Sequence, residues 1–291
     1  MKFGVPLGLV RPAIWKDLAV EADRLGFESV WMPEHLVFTT DLSLATYPGT
    51  ETPAISPATP LFDAPAYLCA LAAVTTGIRL GTAVYLFGLR HPFVAARAFA
   101  TLDQVSGGRA IAGVGVGWYQ GEWVASGLDF ASRGRRLDEA LQVARLLWER
   151  DTAAWDGDFF SFPEVAFEPK PVQRPLPVHT GGESPAALRR AATSCEGWIG
   201  MTHTVESARP RVSPLRHNLA AAGRADAPFE ITVHAEPCPG PGDVAVWEGL
   251  GVHRLIVRPW NRTRDAISAL RVFAATHGLA PREDKAHGTA P

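Results

Sequence analysis

Short apolar runs of strand character alternate with amphipathic helical stretches along almost the whole chain, and no linker interrupts the alternation. This rhythm limits the fold more than any single residue does, because strand–helix–strand repeats build a parallel sheet with helices packed outside it. Lys2 to Gly8 reads as a strand, and Ile14, Trp15, Leu18, Ala22 and Leu25 form a helical stripe closed by Gly26. Glu28 to Met32 is the next strand. Helix Pro65 to Thr75, strand Ile78 to Val84, helix Phe93 to Gln104 and strand Arg109 to Val116 follow. Leu137, Ala140, Leu141, Ala144, Leu147 and Trp148 make the clearest helical face. Strands at Pro177 to Thr180, Gly197 to Met201, Phe229 to Ala235 and Val252 to Val257 alternate with helices beginning at Ser184, Val205, Val244 and Thr263. That makes about eight β–α units, so a single (β/α)8 TIM barrel over residues 1–280 fits better than a two-domain doubly wound sheet. The polar tail, 281–291, is expected to be flexible.

Two segments break the rhythm. Residues 36–63 carry Pro48, Pro53, Pro57 and Pro60 without periodicity, and read as a lid over the C-terminal mouth. Residues 152–173 hold Trp155, Phe159, Phe160, Phe162 and Phe167, and read as a short β excursion over the rim.

Composition narrows the function. The 291 residues are 47% hydrophobic and carry a net charge of −2 without a basic run, which argues against nucleic-acid partners. No apolar stretch of about 18 residues exists, and the N-terminus breaks too early for a signal peptide. A cytoplasmic protein that neither spans nor binds membranes is expected. Cys69, Cys195 and Cys238 are few and scattered, which argues against a disulfide framework or a metal site. Cys69 and Cys195 read as buried small hydrophobes.

Candidate chemistry gathers where strands end, because parallel strands converge at their C-terminal ends on the functional face. Glu34-His35 supplies a titratable pair. Thr82, Ala83 and Val84 follow a compact turn at Gly81 and suit a bulge against a planar ring. Gly113, Gly115 and Gly117 alternate along one strand, with Val116 between them and Trp118 after. A ligand or neighbouring backbone approaching that bare face explains them equally. Gly181-Gly182-Glu183-Ser184-Pro185 puts two glycines before a capped helix, which suits a phosphate, with Glu183 turned away.

Several of these stretches, taken in order, resemble the luciferase-like oxidoreductases. They are Glu21 to His35, Ile78 to Val84, Arg90-His91-Pro92, Ala100 to Arg109, Gly113 to Trp118 with Glu122, Arg133 to Glu139, Pro169 to Gln173 and Gly181 to Ser184. The Pro-Glu-His and Gly-Val-Gly-Trp versions look most like the branch dependent on the deazaflavin coenzyme F420, with FMN as the alternative coenzyme. The resemblance implies a homodimeric TIM barrel acting on a small-molecule substrate by hydride transfer. It implies a non-proline cis peptide at Ala83-Val84, behind the ring. His35 would donate or accept a proton, with Glu34 tuning or orienting it. Thr82, Ala83, Val84, Gly115, Val116, Gly117 and Trp118 would line the ring, and Gly181, Gly182 and Ser184 would hold the phosphate. On this reading Gly182→Val weakens coenzyme binding at little cost to the apo fold. The alternatives are an FMN-dependent monooxygenase and a barrel that binds the coenzyme without turnover.

Overall fold

The computed structural model describes residues 1–43, 45, 47 and 55–282. In chain order come β1 (Lys2–Pro6), α1 (Trp15–Arg24), β2 (Ser29–Met32), α2 (Ala64–Ala72), β3 (Arg79–Thr82) and α3 (Pro92–Ser106). Next are β4 (Ala110–Val114), α4 (Gln120–Ala125), α5 (Arg133–Glu149), β5 (Thr152–Asp156) and β6 (Ser161–Ala166). The remainder is β7 (Val178–Gly181), α6 (Pro185–Ser194), β8 (Gly197–His203), α7 (Val205–Ala221), β9 (Glu230–Ala235), α8 (Val244–Leu250), β10 (Arg254–Ile256) and α9 (Ala266–Thr276). Among the described residues, eight parallel strands close into a barrel in the ring order β1, β10, β9, β8, β7, β4, β3, β2. This is the (β/α)8 fold expected from the alternation.

The barrel interior is packed in layers. Trp31, Ile111, Ile199 and Ile256 form one cluster, contributed by alternate strands β2, β4, β8 and β10. Room for the indole comes from Gly4 and Gly81, where an added Cβ would stand 2.6 Å from the Trp31 ring. Gly81 therefore serves the core beneath the turn it was read as making. Below this layer, Arg254 is fully buried and donates to Glu28 at 2.6 and 2.7 Å, to Glu230 at 2.8 Å and to Thr232 at 3.0 Å. Charge pairing thus plugs the N-terminal end of the barrel, while the C-terminal end stays available for chemistry.

β5 and β6 form the expected β excursion as an antiparallel pair outside the ring, but along its helical flank rather than over the rim. It packs along α3 and α5. Phe162 meets Phe93 at the start of α3, and Glu139 of α5 accepts from the amides of Phe159 at 3.0 Å and Phe160 at 2.9 Å. Cys195 is buried as expected, with its thiol pushed up to about 12 by desolvation, whereas Cys69 is only half buried. Of the 281–291 tail, residues 283–291 lie outside the described residues. Arg282 donates to Asp23 and, at 3.0 Å, to the Phe27 carbonyl, so the expected freedom of the tail does not extend to it. Among the described residues no helix is long and apolar enough to cross a membrane, and no cluster of side chains could hold a metal.

Candidate active site

His35 leaves the end of β2 and meets a residue from beyond β4. Its Nδ1 lies 3.0 Å from Glu122 Oε2. The same carboxylate accepts the Leu36 amide, and the Val37 amide at 3.4 Å. Glu122 is fully buried at the start of α4, where the helix dipole favours its charge. A carboxylate accepting from Nδ1–H fixes the imidazole tautomer, which leaves Nε2 as an acceptor. Nε2 has no hydrogen-bond partner among the described residues, and the side chain keeps 17% exposure.

Glu34 does something else. Its side chain is 1% exposed, ion-paired with Arg90, and accepts the Leu86 amide at 2.7 Å. Burial pushes this carboxyl above the usual range, and Arg90 and the Leu86 amide pull against it without cancelling it. The expectation that Glu34 orients His35 is therefore corrected. The chain alternates direction there, so adjacent side chains diverge, and Glu122 holds the imidazole instead. Glu34 fastens the segment after β3, since Arg90 also stacks over Tyr85 at 4.3 Å.

The Ala83–Val84 peptide is cis, as the resemblance implied. Ala83 and Val84 are both half exposed at the mouth. The glycines around them are explained by Val84. A Cβ at Gly115 would run into its Cγ2, and one at Gly181 would stand 2.8 Å from its Cγ1. The bare strand face thus makes room for a side chain at Gly115, an option the sequence did not pose, and for neighbouring backbone at Gly113, where a Cβ would run into the Thr82 carbonyl oxygen, which is one of the two it did pose. Thr82 is fully buried and donates to the Gly113 carbonyl at 2.7 Å, so it lies beneath the mouth and ties β3 to β4.

Aromatic rings collar the opening. Trp118 meets His35 edge-on at 5.4 Å and Tyr47 at 5.2 Å, and Phe38 lies 4.7 Å from His35. Val116 and Gly117 are half buried beside them. The start of the expected lid is pinned by Tyr119, whose hydroxyl bonds Thr39 and, at 3.3 Å, the Asp41 carbonyl. Of the rest of that segment, residues 44, 46 and 48–54 lie outside the described residues.

Ser184 is the N-cap of α6, accepting from Ala187 N at 3.2 Å. Glu183 is turned to β8 and α7, as expected. It takes the Met201 amide at 2.8 Å, His203 Nε2 at 2.6 Å and Arg211 at 3.1 Å. Gly182 has φ +102° and faces Ala187, so a valine there strains the backbone and the apo fold also suffers. The expected clean separation of binding from stability at that position does not hold. A half-exposed Ala83–Val84 wall, an aromatic collar and a capped helix start fit a flat, phosphate-bearing coenzyme.

Sequence reasoning missed Glu122 and Arg90 as site residues. Both stood in the quoted motifs, and the available signal was an acidic residue next to a tryptophan-rich strand end. Four matches to known proteins bear on this geometry. The model of the luciferase-like monooxygenase family matches residues 10–287. An uncharacterized protein of Mycobacterium tuberculosis is 34% identical over 85% of this chain and 88% of its own. An F420-dependent glucose-6-phosphate dehydrogenase of Kineococcus radiotolerans is 30% identical over 76% of this chain and 63% of its own. An FMNH2-dependent dimethylsulfone monooxygenase of Pseudomonas putida is 35% identical over 54% of this chain and 44% of its own.

Proposed function

The chain belongs to the luciferase-like monooxygenase family of oxidoreductases, which act on small molecules, and from that premise we propose that it moves a hydride between coenzyme F420 and a small organic substrate. The observation that carries this reading is the His35–Glu122 pair at the mouth, on the same rim as the half-exposed Ala83–Val84 peptide that follows β3. Bound there, the deazaflavin supplies a carbon that gives or takes a hydride.

The chain's own residues do the rest. Ala83 and Val84 support one face of the ring, and Trp118 excludes water from its edge. The first turn of α6, with Gly181, Gly182 and Ser184, holds the phosphate. With Nδ1–H committed to Glu122, neutral His35 accepts a proton at Nε2 from a substrate hydroxyl. In the reverse direction protonated His35 returns it from the same nitrogen. Glu34 is a positioning residue here, holding the segment after β3 in place. The reading keeps the homodimer and the cytoplasmic location that the sequence led us to expect.

Fluorescence titration with F420 and FMN tests it. F420 should bind appreciably more tightly, and equal affinity or FMN preference would favour the monooxygenase reading, which the dimethylsulfone monooxygenase relative supports. His35→Ala should leave F420 affinity nearly intact and lower turnover by a factor on the order of 10²–10⁴. Stopped-flow reduction at an unchanged rate would remove His35 from the mechanism.

A further inference from the structure

Val84 and His234 stand on opposite walls of the barrel. β3 and β9 are four places apart in a ring of eight strands, which is diametric. On β9, Ile231, Val233 and Ala235 pack into the outer core, so Glu230, Thr232 and His234 face inward. Arg254 and Lys2 take Glu230, and Arg254 takes Thr232. His234 is the last inward position of β9, in register with Ile256 of the apolar layer. It has no hydrogen bond or ion pair among the described residues, yet it keeps partial exposure. His179, an inward histidine two strands away on β7, is sealed beside Glu230 at 3.7 Å and cannot serve a ligand in the same way.

We propose that His234 positions the substrate, binding a neutral oxygen, hydroxyl or carbonyl, on the side of the coenzyme ring away from Val84. The inference rests on the hydride-transfer reading and narrows its substrate to small, otherwise apolar alcohols and ketones. Burial, with His203 nearby, holds the imidazole down at about 4, so at neutral pH it offers one donor and one acceptor and no charge. Such a group suits a neutral oxygen better than a carboxylate or an amine. The apolar layer of Trp31, Ile111, Ile199 and Ile256 beneath it suits a hydrocarbon remainder. In oxidation, hydride leaves the carbinol carbon for the coenzyme, the hydroxyl proton passes to His35 Nε2, and a ketone results. The His234 N–H donates to the oxygen at both stages.

The test compares the full chain with His234→Phe, which keeps the ring volume, and His234→Gln, which keeps a donor and an acceptor. F420 is titrated by fluorescence, and 2-propanol and 2-butanol are assayed as substrates. His234→Phe should raise KM by at least about tenfold while F420 affinity stays within about twofold, and His234→Gln should recover part of the loss. Histidine-selective ¹⁵N NMR of the F420-loaded protein gives a second readout, in which titrated acetone should move the His234 imidazole signal. An unchanged KM in His234→Phe, or an unmoved signal where neither alcohol turns over, overturns this inference alone. A fall in F420 affinity that matches the rise in KM assigns His234 to the coenzyme and also overturns it. Failure of the wild-type chain to bind F420 overturns the functional reading and this inference with it.

Discussion

Nδ1 of His35 lies 3.0 Å from Oε2 of Glu122, although 87 positions separate them in the chain. The barrel brings them together because the ends of β2 and β4 lie on one rim, with β3 between. One carboxylate thereby fixes the imidazole tautomer and, through the Leu36 amide, the departure of the following loop. On the proposed reading the pair is a single device in which Glu122 acts through His35.

Glu122→Gln should therefore lower turnover by about 10–100-fold, the usual cost of losing an orienting partner behind a working histidine. F420 affinity should stay within about twofold. In the His35→Ala background the same substitution should cost little more, because neighbours in one network are not additive. Steady-state kinetics on the four proteins checks this, and additive losses would separate the two residues.

Val84 sits between two positions that have no side chain. Gly115→Ala forces a Cβ against the Val84 Cγ2, and a β-branched side chain has few rotamers to retreat into. The wall behind the ring should shift toward the mouth, weakening F420 by about tenfold or more, roughly 1.4 kcal/mol. Val84→Ala should restore most of the affinity in the double variant. Fluorescence titration of the three variants reads this directly, and no rescue would mean that Gly115 serves another purpose.

The barrel was legible because each of its strands is a short apolar run beside a helical stripe, a pattern carried by local residues. α4 was not. Trp118-Tyr119-Gln120-Gly121-Glu122 offers no periodicity, and the helix spans only Gln120–Ala125. Most candidate positions do reach the mouth, because strand ends in a barrel share one rim. What those residues touch was not legible, since it depends on side-chain direction across neighbouring strands. Glu34 looked like the partner of His35 by adjacency, yet its carboxylate turns to Arg90. Gly81 read as a compact turn, yet with Gly4 it forms a slot for Trp31 in the core.

The Glu34–Arg90 pair is nearly sealed, with side-chain exposures of 1% and 12%. Arg90→Met leaves the carboxylate without a counter-charge and should cost about 3–5 kcal/mol of stability by urea unfolding. The Glu34 carboxyl is already raised in the folded protein, by burial first. A raised carboxyl contributes stability that is present below its unfolded value, about 4.3, and lost as pH rises through the folded value. The deficit of Arg90→Met should therefore be smaller at pH 5 than at pH 8. A deficit independent of pH would show that lost packing over Tyr85, rather than charge, is the cause.

Acid should unfold the protein in two stages. Desolvation, with Arg254 adding to it, lowers His179 to about 3, and burial lowers His234 to about 4. Unfolded histidine titrates near 6.5. The stability these residues contribute is present above about 6.5 and declines as pH falls toward the folded values, because the unfolded chain binds the protons first. Glu230 is lowered to about 2: burial opposes its charge, and Arg254 and Lys2 outweigh burial. Its contribution is complete above about 4.3 and is lost as pH falls toward 2. Urea unfolding at a series of pH values should show a first decline from about pH 6.5 with a slope of up to about two protons, then a further loss below about 4. His179→Phe should flatten the first decline, and Glu230→Gln should flatten the second while lowering stability at pH 7. A first decline that both His179→Phe and His234→Phe leave intact would assign it to groups outside the barrel interior.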